Sequence, residues 1–144
     1  MGPLRERSTF RRPDSRARAA AEPPAPAMPA AEPIDRVHLG RYTLGSPLLE
    51  REILGLFVAQ LPLSIEQLRF AATDREWQTA AHTIKGSARA VGAWQIASLA
   101  REAEQTSGVA DEDERDRILA TLEAACETVQ GYVEETFPPE RPRA

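Results

Sequence analysis

One stretch of the sequence, residues 81–93, combines the side chains most able to do chemistry. Its sequence is AHTIKGSARAVGA, and it contains one of the two histidines and the only lysine of the chain. An unperturbed imidazole is largely neutral at cellular pH and keeps a free nitrogen lone pair, so His82 is a competent nucleophile without an activating base. No Ser/His/Asp or Cys/His set is visible in the sequence, which favours a one-step transfer over a catalytic cycle.

The spacing of apolar residues places this stretch on an amphipathic helix. Residues that recur at intervals of three and four form one seam: Trp77, Ala81, Ile84, Ala88 and Val91. A seam with this period turns toward a core. A second set points sideways or away from it: Gln78, His82, Lys85, Gly86 and Arg89. His82 is therefore predicted to be exposed, with Lys85 and Gly86 one turn further along the same surface.

Two residues beside the histidine are unusual for a helix surface in this chain. Glycine inside a helix costs about 1 kcal/mol relative to alanine, so Gly86 indicates that something approaches closely there. Lys85 stands among seventeen arginines. Its compact, flexible ammonium suits a phosphoryl group that arrives and leaves, where an arginine would form a rigid fork.

The HTIKGS motif at residues 82–87, followed by Gly92-Ala93, resembles the H-x-(L/I)-K-G-(S/A) signature of histidine-containing phosphotransfer (HPt) domains. The resemblance extends over about residues 34–137. It implies a four-helix bundle whose histidine shuttles a phosphoryl group between receiver-domain aspartates. Isoleucine at the third motif position, where leucine is commoner, is a conservative departure on the buried side.

The resemblance also implies a role for each matched residue. His82 matches the phospho-acceptor, Lys85 the neighbouring cation, and Gly86 the small residue beside the imidazole. Gln78 stands where family members often carry a polar side chain, and could orient the phosphoryl group. We expect Arg89 to provide a second cation.

The partners follow from the same resemblance. We expect receiver domains of a hybrid sensor histidine kinase, of a response regulator, or of both. The divalent ion would belong to the receiver domain, so no cofactor is expected in this chain. The chain is expected to be a phosphocarrier without kinase activity, and an acceptor used in turn by two partners favours a monomer and transient complexes.

Composition excludes several other classes of protein. The net charge of −4 shows no basic excess that would indicate nucleic-acid binding. A single cysteine, Cys126, excludes an internal disulfide framework and is typical of a reducing compartment. No apolar run approaches the roughly 20 residues that span a bilayer, and the arginine-rich N-terminus has no apolar segment of a secretory signal. Cytoplasmic location is the expectation.

Three segments are predicted along the chain. Residues 1–33 hold seven of the twelve prolines and few large apolar side chains, which is typical of a disordered tail. Residues 34–137 form the helical bundle, and residues 138–144 a disordered C-terminal tail. The role of the tail arginines stays open between simple solvation and an electrostatic tether to an acidic surface.

The fold class predicted for residues 34–137 is all-α: an antiparallel four-helix bundle with a short extra N-terminal helix within residues 34–45. Three local patterns predict where a main helix begins: Ser46-Pro47, the Thr73 to Glu76 capping box, and Asp111 with Glu114. Gly92 predicts where the histidine helix ends. The first long helix is expected to bury Leu49, Ile53, Leu56, Phe57, Leu61, Ile65 and Leu68 and to continue through Pro62. The helix that begins near Trp94 is expected to end near Ser107-Gly108, and the last helix before Pro138-Pro139.

Three other classes of protein are alternatives to a phosphotransfer domain. A di-iron bundle site needs Glu-x-x-His pairs, but Thr79 precedes His82 by three residues, and no metal site is expected. The dimerisation domain of a sensor kinase typically has an acidic residue after its histidine, where this chain has Thr83, and no nucleotide-binding segment follows. The remaining alternative is a helical scaffold or inhibitor that docks a receiver domain without carrying phosphate.

Overall fold

The computed structural model describes residues 32–106 and 111–138, and every regular element in them is an α-helix. In chain order the helices are α1 (Arg36–Thr43), α2 (Pro47–Arg69), α3 (Asp74–Val91), α4 (Trp94–Glu104) and α5 (Glu112–Thr136). Each of the four long helices packs on the next, and α5 packs back on α2, which closes a four-helix bundle. Helix α1 lies against α2 and α3. The predicted fold class is confirmed.

The helices begin where their capping residues predict. The Ser46 side chain accepts a hydrogen bond from the Leu49 amide, and the proline at position 47 occupies the first helical position. The Thr73 hydroxyl accepts from the Glu76 amide at 3.1 Å. The Asp111 carboxylate accepts from the Glu114 amide in the same way. These side chains satisfy amides that the first turn of a helix leaves unpaired.

Helix α2 continues through Pro62 to Arg69, as predicted. Helix α4 ends at Glu104, with Gln105 as its C-terminal cap. Residues 107–110, which include the predicted end of this helix, lie outside the described part of the chain. The predicted tails at 1–33 and 138–144 fall almost entirely on residues 1–31 and 139–144, which also lie outside it, so these boundaries stay predictions.

The buried face of α2 differs from the predicted one. Leu49 is 40% exposed and Leu56 is 73% exposed, so their assignment to the core was wrong. Leu54, which was not assigned to the core, is completely buried. The error arose because α2 carries leucines on two faces, and three- and four-residue spacing cannot tell which face meets the other helices.

Helix α1 is attached through a buried carboxylate that the sequence did not indicate. Glu50 on α2 is only 4% exposed. Its Oε1 accepts from the Arg36 guanidinium at 2.8 Å, and its Oε2 accepts from the Thr43 hydroxyl at 3.1 Å. A buried charge is tolerated when it is paired and hydrogen-bonded, so this network joins both ends of α1 to the bundle.

Single histidine and cysteine residues outside the motif have packing roles. The His38 ring lies edge-on to the rings of Tyr42 and Trp94, with centroid distances of 5.5 and 4.9 Å. Cys126 is buried, and burial raises the pKa of its thiol above the ordinary value. A raised pKa leaves less of the reactive thiolate, which agrees with its predicted role as a small core side chain.

Candidate functional site

His82 lies on the edge of α3 that faces α4, and its side chain is 69% exposed. The five seam residues of α3 predicted to be buried are all buried, so the helix turns its other surfaces outward. The predicted exposure of His82 is therefore confirmed. One ring nitrogen is nevertheless engaged, because Nδ1 lies 2.7 Å from Oε2 of Glu104, the last residue of α4.

The position of Glu104 is fixed by a buried contact one turn before the histidine. Trp77 on α3 is completely buried, and its indole N–H donates to the carbonyl oxygen of Ala103 at 2.7 Å. Alanines at 81, 100 and 103 are fully buried and allow the two helices to approach closely. This bond ties the end of α4 to α3, so the residue after Ala103 stands beside the histidine.

Lys85 binds the other oxygen of the same carboxylate. Its Nζ lies 2.7 Å from Oε1 of Glu104, and both side chains are about one-fifth exposed. The ammonium is the main cause of a lowered pKa of the Glu104 carboxyl; burial opposes this effect, and the hydrogen bond from His82 adds to it. Glu104 is therefore a carboxylate at neutral pH, held between an ammonium and an imidazole.

This arrangement selects one tautomer of the imidazole. An ionised carboxylate can only accept hydrogen bonds, so Nδ1 of His82 must be the protonated nitrogen that donates to it. In a neutral ring the second nitrogen, Nε2, then carries the lone pair. The exposed histidine consequently offers a nucleophilic nitrogen whose orientation is set by Glu104.

Gly86 leaves open space one turn beyond the histidine. It is exposed and helical, and a Cβ added to it would meet no atom within 4 Å. No part of the described chain therefore requires a glycine at this position. The sequence interpretation assigned the gap to an approaching phosphoryl group and partner, and that assignment stays a prediction.

The two remaining predicted residues lie along the same surface of α3. Gln78 is exposed one turn before His82, but among the described residues no hydrogen bond joins the two. Arg89 is half-buried, two turns after His82. The structure thus brings His82 and Lys85 together on one carboxylate, and places Gln78 and Arg89 at the two ends of the same surface.

Glu104 is the residue that the sequence interpretation missed. It is separated from His82 by 22 residues and lies on a different helix. Glu102 and Glu104 both fall in the last turn of α4, and nothing in the local pattern distinguishes the one that faces the histidine. Only the packing of α4 on α3 identifies it.

Within residues 32–106 and 111–138, no three or more His, Cys, Asp or Glu side chains are grouped so that they could hold a metal ion. No helix in this part of the chain has the length and apolar character needed to cross a bilayer.

The chain matches a protein-family model over the residues that form the site. The model of the Hpt domain matches residues 52–132, more than half of the chain. The matched segment contains all of α3 and α4, and so includes His82, Lys85 and Glu104. No curated protein and no solved structure matches the chain significantly.

Proposed function

Because the chain belongs to the Hpt domain family, the histidine phosphotransfer domains, we propose that it relays a phosphoryl group between receiver-domain aspartates in a multistep phosphorelay. His82 carries the group as phosphohistidine. The observation that supports this most directly is the imidazole of His82, which is 69% exposed and whose Nδ1 lies 2.7 Å from the Glu104 carboxylate.

The proposed step is an in-line displacement at phosphorus. The Nε2 lone pair of His82 forms the N–P bond, and the bond between phosphorus and the carboxyl oxygen of the receiver's aspartyl phosphate breaks. The bonding electrons leave with that oxygen, which regenerates the aspartate carboxylate. The imidazole keeps its Nδ1 proton and becomes positively charged, and the adjacent Glu104 carboxylate compensates that charge. The reverse displacement passes the group to the next receiver.

Positioning and charge dominate such a transfer, because its transition state is loose. We assign Glu104 to the orientation of the ring and to the stabilisation of the phosphoimidazolium. Lys85 lies one turn from His82 and is paired with Glu104. When the phosphoryl group arrives, the ammonium can leave this carboxylate and bind phosphoryl oxygens instead. Gln78 and Arg89 are assigned to further hydrogen bonding and charge compensation at the ends of the site.

The docking surface proposed for the receiver is the exposed face around His82, together with apolar positions on the neighbouring helix. Large exposed apolar side chains in the described residues lie only between positions 37 and 70, on α1, α2 and the turn between them. The apolar positions proposed for docking are those on α2, which packs beside α3, and a surface shared in turn by successive partners suits transient complexes. The divalent ion belongs to the receiver, and the chain has no kinase activity of its own. We place the reaction in the cytoplasm.

A phosphotransfer assay tests the proposal against a scaffold or inhibitor that only docks a receiver. The chain is mixed with a receiver domain labelled on its aspartate, and label is followed into an acid-labile modification. His82→Gln should abolish labelling and leave docking roughly intact, because the substitution removes the nucleophile from an exposed position. His38→Gln, at the other histidine, should still accept label.

Two outcomes count against the proposal. If no label reaches the wild-type chain from any of several cognate receivers, the relay is wrong. If the His82→Gln chain is labelled as fast as the wild type, the assigned acceptor is wrong. Binding of receivers with no transfer would instead support the scaffold.

A further inference from the structure

The two tryptophans of the chain both donate an indole N–H, but the two bonds hold different parts of the bundle. Trp77 on α3 is completely buried and donates to the carbonyl oxygen of Ala103 at 2.7 Å. Trp94, the half-buried first residue of α4, donates to the carboxylate of Asp35 at 2.9 Å. The first bond therefore joins α3 to the end of α4 that carries Glu104, and the second joins the beginning of α4 to the chain before α1.

The Ala103 carbonyl lies in the last turn of α4, where carbonyl groups have no partner within the helix. Besides the indole of Trp77, it accepts from the amide and the hydroxyl of Thr106, at 3.1 and 3.0 Å. Thr106 follows α4 directly in the chain, so its two donors move with that helix. Of these three donors, the indole alone belongs to α3, and its bond fixes the end of α4 relative to α3.

This bond sets the rotation of α4 about its own axis. Glu102 and Glu104 are two residues apart, which places them about 200° from each other around the helix. Glu102 accepts from Arg117 on α5 at 3.1 Å, whereas Glu104 meets His82 and Lys85 on α3. A rotation of α4 by a single residue, about 100°, would turn Glu104 away from the histidine.

The contact at His82 tolerates little movement. Its Nδ1 lies 2.7 Å from the carboxylate oxygen, and the bond is lost once the two atoms are more than about 3.5 Å apart. The buried alanines at 81, 100 and 103 let the helices approach closely, but their side chains have no polar atom that could fix a register. The ion pair of Lys85 is partly exposed, and such pairs hold a geometry only weakly. The buried indole bond is consequently the directional contact that sets the register.

We propose that Trp77 is a positioning residue of the phospho-acceptor, whose indole N–H acts through the Ala103 carbonyl to hold the Glu104 carboxylate on Nδ1 of His82. The proposal rests on the phosphotransfer function proposed above and adds the residue on which the orientation of the ring depends. Trp77 is completely buried, so it touches neither the phosphoryl group nor the receiver. Its effect on transfer therefore passes through Glu104.

Removal of the indole N–H, with an aromatic ring kept in place, tests this role. Two changes do so: Trp77→Phe, and replacement of Trp77 by benzothienylalanine, which has sulfur in place of the N–H and keeps the ring volume. Nitrogen-15 NMR of the His82 imidazole should change from Nδ1–H in the wild type to a mixture of tautomers in both variants. Phosphotransfer from a labelled receiver should slow about fivefold, as expected for the loss of one hydrogen bond.

Trp94→Phe is the matched control. It also removes an indole N–H from a hydrogen bond of similar length, but at the other end of α4. The tautomer of His82 and the rate of transfer should both stay as in the wild type. If Trp94→Phe changes them as much as Trp77→Phe does, the effect is a general loosening of the bundle and the proposal is wrong.

A double-mutant cycle separates positioning from packing. Glu104→Ala removes the side chain through which Trp77 is proposed to act, so a further Trp77→Phe substitution should not slow transfer any more. A further fivefold loss in the Glu104→Ala chain would show that Trp77 acts by another route, and would overturn the proposal. Retention of Nδ1–H and of the wild-type rate by the benzothienyl variant would overturn it as well.

The NMR measurement keeps this proposal separate from the proposed function. If the wild-type chain accepts no label from any cognate receiver, phosphotransfer is wrong, but the tautomer of His82 in the two Trp77 variants still decides the positioning role. A tautomer that stays Nδ1–H in both variants refutes that role, whatever the chain does with phosphate.

Discussion

Two glycines of the family signature, Gly86 within α3 and Gly92 directly after it, stand in opposite surroundings. Gly86, in the middle, has helical geometry and no atom within 4 Å of an added Cβ. Gly92, at the end, has a φ of +82°, and an added Cβ would lie 2.8 Å from the carbonyl oxygen of Asp35. One glycine leaves space outside the chain, and the other is needed by the chain's own backbone.

The contacts of Gly92 explain why a glycine follows α3. Its carbonyl accepts a hydrogen bond from the Asp35 amide at 2.9 Å, and the Asp35 carboxylate accepts from the Trp94 indole at 2.9 Å. The glycine therefore lets the chain before α1 close against the turn between α3 and α4. The signature therefore combines a glycine that the fold needs, Gly92, with a glycine that no contact within the described residues requires, Gly86.

Among the substitutions that test this difference, we expect Gly92→Ala to change stability the most. Gly92→Ala should lower the free energy of unfolding by about 3 kcal/mol, because it adds a left-handed backbone penalty to a clash with backbone. Urea unfolding measures this change. Phosphotransfer per folded molecule should stay near the wild-type rate. An unchanged unfolding midpoint would contradict the role given to Gly92.

The next largest effect is expected on the rate of phosphotransfer at His82, when its carboxylate partner Glu104 is replaced. Glu104→Gln removes the charge opposite the phosphoimidazolium and should slow transfer about tenfold, since a hydrogen bond to a charged group is worth about 1.5 kcal/mol. Nitrogen-15 NMR of the imidazole should show Nδ1–H in the wild type and a tautomer mixture in the variant. Stability should change little, because the pair is partly exposed. A wild type with the proton on Nε2 would refute the assignment.

Replacing Gly86 should have a smaller effect on stability than replacing Gly92, and one of opposite sign. Gly86→Ala should raise the free energy of unfolding by about 1 kcal/mol, because alanine is the better helix former, but slow phosphotransfer if a partner uses the space. Gly131→Ala on α5 is the matched control, since an added Cβ there also meets nothing within 4 Å. It should stabilise equally and leave transfer unchanged. Equal transfer rates in both variants would remove the role of Gly86.

The smallest effect is expected on the pH dependence of stability, to which Asp35 beside Gly92 and Glu104 beside His82 both contribute. The Trp94 hydrogen bond is the main cause of a lowered pKa of Asp35, and Lys85 of a lowered pKa of Glu104. A lowered carboxyl pKa stabilises the fold above the unfolded-state value, and this contribution is lost as the pH falls through the folded-state value. Asp35→Asn and Glu104→Gln should each make the loss of stability below about pH 4.5 shallower, measured by urea unfolding from pH 3 to 7. A steeper loss would contradict the assigned directions.

The sequence interpretation succeeded where one helix carries all the necessary information. The caps at Ser46, Thr73 and Asp111 and the stop at Gly92 are decided by neighbours three or four residues away, and all four are observed. It failed on α2, where Leu56 belongs to an exposed row that competes with the buried one. It also missed the buried Glu50, because its partners Arg36 and Thr43 lie on another helix.

The amino-acid order alone determined that α3 is a helix, which of its faces is buried, and that His82, Lys85 and Gly86 share an outward surface. Those properties depend on a period of 3.6 residues and on local capping. The tertiary structure alone decided that Glu104 holds both His82 and Lys85, and that Leu56 on α2 faces solvent. Both depend on which helix packs beside which, and a helix's own periodicity does not contain that information.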